Sequence, residues 1–315
     1  MNMQTTLNLR ASQVVSAILK RRGELRIDVQ DIAGATVIDC GVFAAGGIAA
    51  GLELAGVCLS GLGDVSLLPG DQHSTGLPRV QVYSDQPVLA CMASQYAGWQ
   101  ISAGKYFAMG SGPMRALYGK EKLFDDISGR EQSPLAVGVL EGKLPPPDAV
   151  TWIADRLQLL PSRLTLLVAR TASIAGNIQV VARSLEMALH KLHELKFDLN
   201  QVVSGIGIAP LPPPAKDDLA AIGRTNDAVL YGGQAVVYVK SNDDLLAEIG
   251  PKVPSNSSTE YGSLFADLFA KYQDFYKIDP LLFSPAEILF CNLATGRMHR
   301  FGKTAPEILE KSFQK

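Results

Sequence analysis

The sequence predicts an α+β protein built from two subdomains. Its 315 residues suggest about two domains, at ~150 residues for each domain. Nearly half of the residues are hydrophobic and 19% are charged, a composition that supports a sizeable core. Helical and strand-like segments are intermixed, without a regular strand–helix–strand series that opens on a glycine-rich turn. This pattern favours two α+β units over a single doubly wound sheet.

Hydrophobic periodicity and turn residues assign the individual elements. In the first half we expect a helix over 9–22, strands over 35–40, 57–59 and 80–83, a short helix over 87–96, and a strand over 135–140. In the second half we expect a helix over 148–159, a strand over 163–168, a long helix over 173–195, a strand within 229–239, and an aromatic helix over 261–276. The prolines at 145–147 suggest subdomains 1–145 and 146–315, with segments free to cross over.

Charge and cysteine content exclude several classes of protein. The net charge of −2 argues against a nucleic-acid binder and against a basic membrane-surface protein. The four cysteines are far apart and form no C-x-x-C pair, which is typical of reduced thiols in the cytoplasm. The most apolar stretch, 40–52, is shorter than the ~20 residues that a membrane span needs. We therefore expect a cytoplasmic protein without a transmembrane segment.

No metal constellation is evident. Of the four histidines only His190 and His193 share an element, and no third ligand accompanies them. Two segments could bind an anion through backbone N–H groups: 110–113, which is rich in glycine, and 171–173, which precedes a helix. A tight turn explains the first segment equally well, and a simple N-cap at Ser173 is the better explanation of the second.

The predicted long helix has an apolar face and a polar face. Arg183 and Glu186 lie three residues apart on the polar face, so their side chains can meet. On spacing alone, the favoured interpretation is a solvated surface ion pair, which contributes little to stability. If that face lines a cleft, the pair instead provides a positioned carboxylate beside an arginine.

Longer motifs add a resemblance to a known family. They are, in order, residues 39–41 (DCG), 94–101 (SQYAGWQI), 105–117 (KYFAMGSGPMRAL), 171–179 (TASIAGNIQ), 182–191 (ARSLEMALHK), 223–233 (GRTNDAVLYGG), 254–262 (PSNSSTEYG) and 274–288 (DFYKIDPLLFSPAEI). Together they resemble the methenyltetrahydromethanopterin cyclohydrolases over almost the whole chain. One departure is Tyr96, where archaeal members tend to carry lysine, so that any role of this lysine cannot be transferred here.

The resemblance implies a fold, an assembly and a reaction. It implies two α+β subdomains with a cleft between them, a homotrimer, and reversible hydrolysis of a methenyl bridge to the formyl derivative. No metal or prosthetic group is implied, and a tetrahydromethanopterin derivative is the substrate. The family's catalytic residues map onto Glu186, as general base for the attacking water, and Arg183, which orients it. Residues 209–216 resemble the bacterial members, which implies a role in formaldehyde oxidation.

The same resemblance leads us to expect substrate contacts from polar residues and glycines in the matching motifs. The expected substrate-binding residues are Gln95, Ser111, Gly112, Ser173, Asn226 and Asp227.

Two other functions remain open at this point. A nucleotide- or phosphate-binding transferase would use the glycines at 110–112 and the helix start at Ser173. A non-enzymatic trimeric binding protein would leave the polar face of the long helix exposed to solvent. The pterin itself favours hydrolysis without a metal, because its bridge carbon lies between two nitrogens in a cationic group and is already electrophilic. A carboxylate that takes a proton from water completes the requirement.

Overall fold

The computed structural model describes residues 6–70, 75–272 and 277–314. The strands are β1 Asp28–Ile32, β2 Ala35–Gly41, β3 Asp64–Leu68, β4 Arg79–Ser84, β5 Trp99–Ala103, β6 Tyr106–Ser111, β7 Ala136–Glu141, β8 Leu164–Ala169, β9 Val202–Pro210, β10 Gln234–Val239, β11 Glu287–Asn292 and β12 Met298–Gly302. The α-helices are α1 Leu7–Lys20, α2 Arg22–Leu25, α3 Ile48–Cys58, α4 Met114–Tyr118, α5 Leu123–Asp126, α6 Pro147–Leu157, α7 Ile174–Val181, α8 Ser184–Glu194, α9 Asp218–Gly232, α10 Asp243–Ile249, α11 Phe265–Tyr272 and α12 Pro306–Gln314. A π-helix spans Val88–Gln95. None of the helices in the described ranges is both long and apolar enough to cross a membrane.

The chain forms two compact α+β units, as the sequence predicts. The first joins residues 1–63 with 89–179, and the second joins 64–88 with 180–315. Contacts therefore divide the chain at other places than residue 145. The reason is that each sheet takes strands from both halves of the chain. β8 lies between β2 and β7 in the first sheet, and the β3–β4 hairpin extends the second sheet next to β9.

The first unit is a six-stranded mixed sheet with helices on both faces. Its strand order is β1-β2-β8-β7-β6-β5, and the central strands β2, β8 and β7 are parallel. Residues of α1 and α3 pack on one face with Ile38 and Leu167. Residues of α6 pack on the other face with Val37 and Leu166. Because neighbouring strand residues point to opposite faces, the continuous apolar runs of β2 and β8 contribute side chains to both cores.

The second unit is also a six-stranded mixed sheet, in the order β12-β11-β10-β9-β4-β3. Only β10 and β11 are parallel neighbours among its strands. Helices α9, α11 and α12 share a hydrophobic cluster that includes Tyr231, Phe265 and Leu309. Helix α9 begins where the Asp217 side chain accepts a hydrogen bond from the Ala220 N–H at 2.9 Å, an N-cap of the usual kind.

Several expected elements are confirmed and two are wrong. Most of the strands and the helix over 148–159 lie within a residue or two of their predicted bounds. The segment 57–59 is the end of α3 and the turn after it, because this short apolar run fits a buried helix as well as a strand. The strand expected within 229–239 is β10, which follows the end of α9 at Gly232. The expected long helix is two helices, with a break at Ala182 and Arg183. Residues 273–276 of the expected aromatic helix lie outside the described residues.

Two glycines of β9 allow α8 to approach the sheet at backbone distance. A Cβ atom on Gly207 would lie 2.5 Å from both the backbone nitrogen of Leu185 and the Ser184 Oγ. On Gly205 it would lie 2.6 Å from a methyl carbon of the Leu185 side chain. Both glycines lie on the same face of the strand, since alternate residues share a face. Because β9 has no side chains at these two positions, the first turn of α8 packs directly against the strand.

We expect Gly207→Ala to destabilise the second unit by ~1–3 kcal/mol, because the new methyl group overpacks against helix backbone. Gly207 has no positive φ, so the effect measures packing rather than backbone strain. Gly56→Ala in α3 is the matched control, since nothing lies within 4 Å of a Cβ there. Urea unfolding should show a loss of stability in the first variant only, and equal stability of both variants would contradict this account of the packing.

Candidate active site

In the first unit, the loop after β2 is organised by one buried carboxylate. The side chain of Asp39 is 1% exposed. One oxygen accepts the N–H groups of Gly41 at 2.9 Å and Val42 at 2.6 Å, and the other those of Phe43 at 2.8 Å and Ala44 at 3.0 Å. Hydrogen bonds to a charged acceptor are stronger than neutral ones. This turn is therefore fixed at the carboxyl end of a central strand.

Ser173 lies next to this loop, where β8 leads into α7. Its hydroxyl donates to the Arg170 carbonyl at 2.7 Å and accepts the Gly176 N–H at 3.0 Å, so its predicted role as an N-cap is confirmed. A Cβ on Gly41 would lie 2.4 Å from the Ser173 Oγ, which places the two loops in direct contact. The carboxyl ends of parallel strands in such sheets are where ligands bind.

Gln95, Ser111 and Gly112 lie together in the interior of the first unit. Gln95 ends the π-helix, a type of turn that occurs frequently at functional sites, and its side chain is fully buried. The Gly112 N–H donates to the Ser94 carbonyl at 2.9 Å. This N–H is therefore occupied by a carbonyl, which counts against the anion site that a phosphate-binding transferase would use.

A buried arginine supports the same region. The guanidinium of Arg115 is 0% exposed and donates to both oxygens of Glu121. It also donates to the carbonyls of Met92 at 3.0 Å and Ser94 at 3.2 Å, and it lies 4.9 Å from the centre of the Tyr96 ring. The last turn of the π-helix is thereby tied to the loop that carries Ser111 and Gly112.

In the second unit, Arg183 and Glu186 lie at the start of α8. Arg183 is the N-cap residue, and Glu186 lies in the first turn, where a negative charge stabilises a helix. Their exposures are 6% and 4%. The solvated surface pair that spacing alone favoured is therefore wrong. The same burial speaks against a binding protein whose polar helix face is open to solvent.

Asn226 and Asp227 lie on α9 of the second unit. Asp227 is 1% exposed, and its oxygens accept the Phe265 N–H at 2.9 Å and the Ser312 hydroxyl at 2.6 Å. These bonds tie α9 to α11 and α12, which gives Asp227 a structural role. Asn226 is half-buried and donates to the Ile222 carbonyl at 2.9 Å.

One residue that sequence reasoning missed is Lys191 on α8. It is 1% exposed, and its ammonium donates to the Ser257 hydroxyl at 3.2 Å and to the Leu281 carbonyl. Burial lowers its pKa to about 8, which the nearby Asp279 partly opposes. The lysine fastens the middle of α8 to the segments around residues 257 and 281. The sequence offered only a weak signal, namely that Ala188 and Leu195, three and four residues from Lys191 on the same side of the helix, are apolar.

Three further observations identify no other site. A surface pocket of about 460 Å³ in the first unit contains none of the predicted site residues, and its charged side chains include Arg130 and Asp125, which pair with each other. Within 6–70, 75–272 and 277–314, no three His, Cys, Asp or Glu side chains are arranged to hold a metal ion. Burial raises the pKa of the Cys40 thiol to about 12, so Cys40 is not a thiolate nucleophile at neutral pH.

The fold and these residues agree with a family comparison. The family described as "Cyclohydrolase (MCH)" matches residues 6–313. The chain therefore belongs to this cyclohydrolase family and is an enzyme of that class.

Named relatives make the comparison more specific. A methenyltetrahydromethanopterin cyclohydrolase from Rhodopirellula baltica is 47% identical over 289 residues, which cover 90% of this chain and 87% of the relative. Proteins with the same name from Methylobacillus flagellatus and Methanobrevibacter smithii are 42% and 40% identical, and each alignment covers 98% of this chain and at least 95% of the relative.

We expect Asp39→Asn to destabilise the protein by ~3 kcal/mol, because the amide group would direct N–H donors at backbone N–H groups and remove the charged acceptor. Thermal unfolding of the purified variant measures the loss. Asp28→Asn is the control, since Asp28 faces Asp39 across β1 and β2 but is exposed. A stability of Asp39→Asn within ~0.5 kcal/mol of the wild type, the range of ordinary surface changes, would contradict the role given to this carboxylate.

Proposed function

We propose that this enzyme catalyses the reversible hydrolysis of methenyl-tetrahydromethanopterin to its formyl derivative. The observation that carries the proposal is the burial of Glu186 and Arg183 at the start of α8, in the segment that resembles the family's catalytic motif. The relatives that share 40–47% of their residues with this chain are all named for this reaction. Its substrate is a pterin, and no organic prosthetic group is required.

The chemistry needs one base. Water adds to the bridge carbon, which is electrophilic because it lies between two nitrogens that share a positive charge. As the new C–O bond forms, the Glu186 carboxylate takes a proton from the water. One C–N bond of the tetrahedral carbinol then breaks: protonated Glu186 gives its proton to the departing nitrogen, and the carbinol hydroxyl loses its proton to water as the C=O bond forms. The formyl group stays on the other nitrogen, and one proton is released overall. Each step runs in reverse for cyclisation.

Arg183 is the positioning residue in this scheme. It directly precedes the helix turn that carries Glu186, and both side chains are nearly excluded from solvent. A buried carboxylate needs a compensating charge, which the guanidinium of Arg183 would supply to Glu186. The negative charge of Glu186 would in turn attract the cationic substrate. The packing of Ser184 and Leu185 against the β9 glycines restricts the motion of both catalytic side chains, and fixed geometry of this kind lowers a reaction barrier.

Gln95, Ser111, Gly112, Ser173 and Asn226 are our proposed substrate-binding residues, and Asp227 acts through its hold on α9. The free cysteines support a cytoplasmic location. The resemblance of residues 209–216 to bacterial members supports formaldehyde oxidation as the pathway. We further propose a homotrimer, a prediction that light scattering of the purified protein would test.

Replacing Glu186 by Gln should lower kcat ~10²–10⁴-fold, the usual contribution of a general base. The amide keeps the shape of the side chain but cannot accept the proton, so affinity for substrate should change much less. Stopped-flow absorbance of the methenyl pterin gives both quantities. Glu194→Gln, an exposed change on the same helix, is the control, and near-wild-type turnover in Glu186→Gln would refute this mechanism.

The positioning residue, Arg183, is tested in the same assay. Arg183→Ala should also slow turnover, because Glu186 loses its orientation. The double variant should be little slower than Glu186→Gln alone, since residues that act as a unit are not additive. Additive losses in the double variant would show that the two side chains act independently.

Exhaustive treatment with a chelator should leave turnover unchanged, because the cationic bridge needs no Lewis acid and a carboxylate supplies the base. The measurement is the rate before and after dialysis against EDTA, with a zinc-dependent hydrolase treated in parallel as the control. Loss of activity that zinc restores would contradict the prediction.

A further inference from the structure

Most of the exposed apolar side chains of the first unit lie at one edge of its sheet, the edge at which the parallel strands β2, β8 and β7 end. Among the described residues of this unit, the exposed large hydrophobic side chains are Phe43, Ile48, Phe107, Leu160 and Ile174. Phe43 follows β2, Ile48 begins α3, and Ile174 begins α7 after β8. Phe107 precedes the β6 residue Met109, which pairs with the last residue of β7. Only Leu160, which precedes β8, lies at the opposite edge.

Phe43 is the most exposed of these side chains, at 85%, although its backbone is fixed. Its N–H is bound by the Asp39 carboxylate at 2.8 Å, and the residues on either side are bound by the same carboxylate. The exposure therefore does not come from a loose loop. A solvated aromatic ring on a rigid turn gives up the ~1.5–3 kcal/mol that its burial would contribute, and such contiguous exposed surface marks a binding site.

The same edge is the topological switch point of the sheet. From β7 the chain enters α6 on one face, whereas from β8 it enters α7, whose Ala175 packs in the core of the other face. Crevices in α/β sheets open between strands whose connections diverge in this way. Glu141 ends β7 at this edge, half-buried, and accepts a hydrogen bond from the Gln179 amide at 3.4 Å. Apolar surface thus adjoins a carboxylate.

We propose that Phe43 stacks on the fused rings of the pterin substrate, with Ile48 and Ile174 in contact with the ring edge. This inference rests on the proposed function and adds the residue that recognises the heterocycle. The pyrimidinone ring of a tetrahydropterin is planar and conjugated, and it matches a single exposed aromatic face better than a second copy of this chain does. The positive charge on the methenyl bridge also complements Glu141, whereas an interface between copies would have to bury that carboxylate.

The test compares Phe43→Leu, which removes the aromatic face, with Phe43→Tyr, which keeps it. The probe for binding is tetrahydromethanopterin, which lacks the one-carbon bridge and cannot react, titrated by calorimetry. We expect Phe43→Leu to weaken binding about tenfold, the usual effect of losing one stacked ring, and Phe43→Tyr to restore most of it. In the kinetic assay the effect of Phe43→Leu should appear mainly in KM. Leu160→Ala, the exposed apolar residue at the opposite edge, is the matched control and should bind as the wild type does.

The outcomes separate the two proposals. Unchanged affinity in Phe43→Leu overturns the stacking role, and if light scattering then shows a smaller assembly, the edge is an interface between copies. If Phe43→Leu weakens binding but Glu186→Gln keeps full turnover, the stacking role stands and the proposed mechanism fails. If the wild-type protein does not bind tetrahydromethanopterin at all, the stacking role is overturned together with the substrate assignment.

Discussion

The close approach of α8 to β9 is the constraint that fixes the helix turn in which we place the catalytic base. Gly207 leaves room for the Leu185 backbone and Gly205 for the Leu185 side chain, where any other residue would displace them. Further along the helix, buried Lys191 binds the Ser257 hydroxyl and the Leu281 carbonyl. The helix is therefore held at its first turn and again at its middle. A carboxylate that must accept a proton from a particular water benefits directly from this rigidity, because misplacement by about 1 Å can cost two orders of magnitude in rate.

A comparable arrangement organises the first unit, where one charged group fixes a loop through backbone atoms. Asp39 satisfies four consecutive N–H groups that no strand or helix would pair. The loop can therefore be short, irregular and rigid at once, and it can present Phe43 to solvent without mobility. The cost of burying the Asp39 charge is offset by these bonds. In both units, backbone contacts fix the positions of these residues, and the sequence pattern of side chains indicates such contacts only indirectly.

Hydrophobic periodicity was sufficient to predict the elements that bury one or two defined faces. The strands β2, β7 and β8 and the helix α6 follow directly from their apolar runs and from the prolines and turn residues beside them. It failed where tertiary contacts override local preference. The residues 173–195 read as one helix because their apolar stripe is continuous, whereas packing on β9 starts a new helix at Ser184. The prolines suggested a boundary at residue 145, whereas the units divide after residues 63, 88 and 179. β8 joins the first sheet from beyond residue 145, and strand pairing over such distances leaves no local signal.

The sequence by itself determined the α+β class, most of the elements, and, through its long motifs, the resemblance that points to Glu186 and Arg183. We propose that several residues of those motifs contact the substrate. Only the tertiary structure decided whether Arg183 and Glu186 are solvated or buried, and that the carboxylates of Asp39 and Asp227 bind groups of the fold itself. Burial and hydrogen-bond partners depend on segments far away in the chain, and for that reason spacing alone favoured the solvated pair.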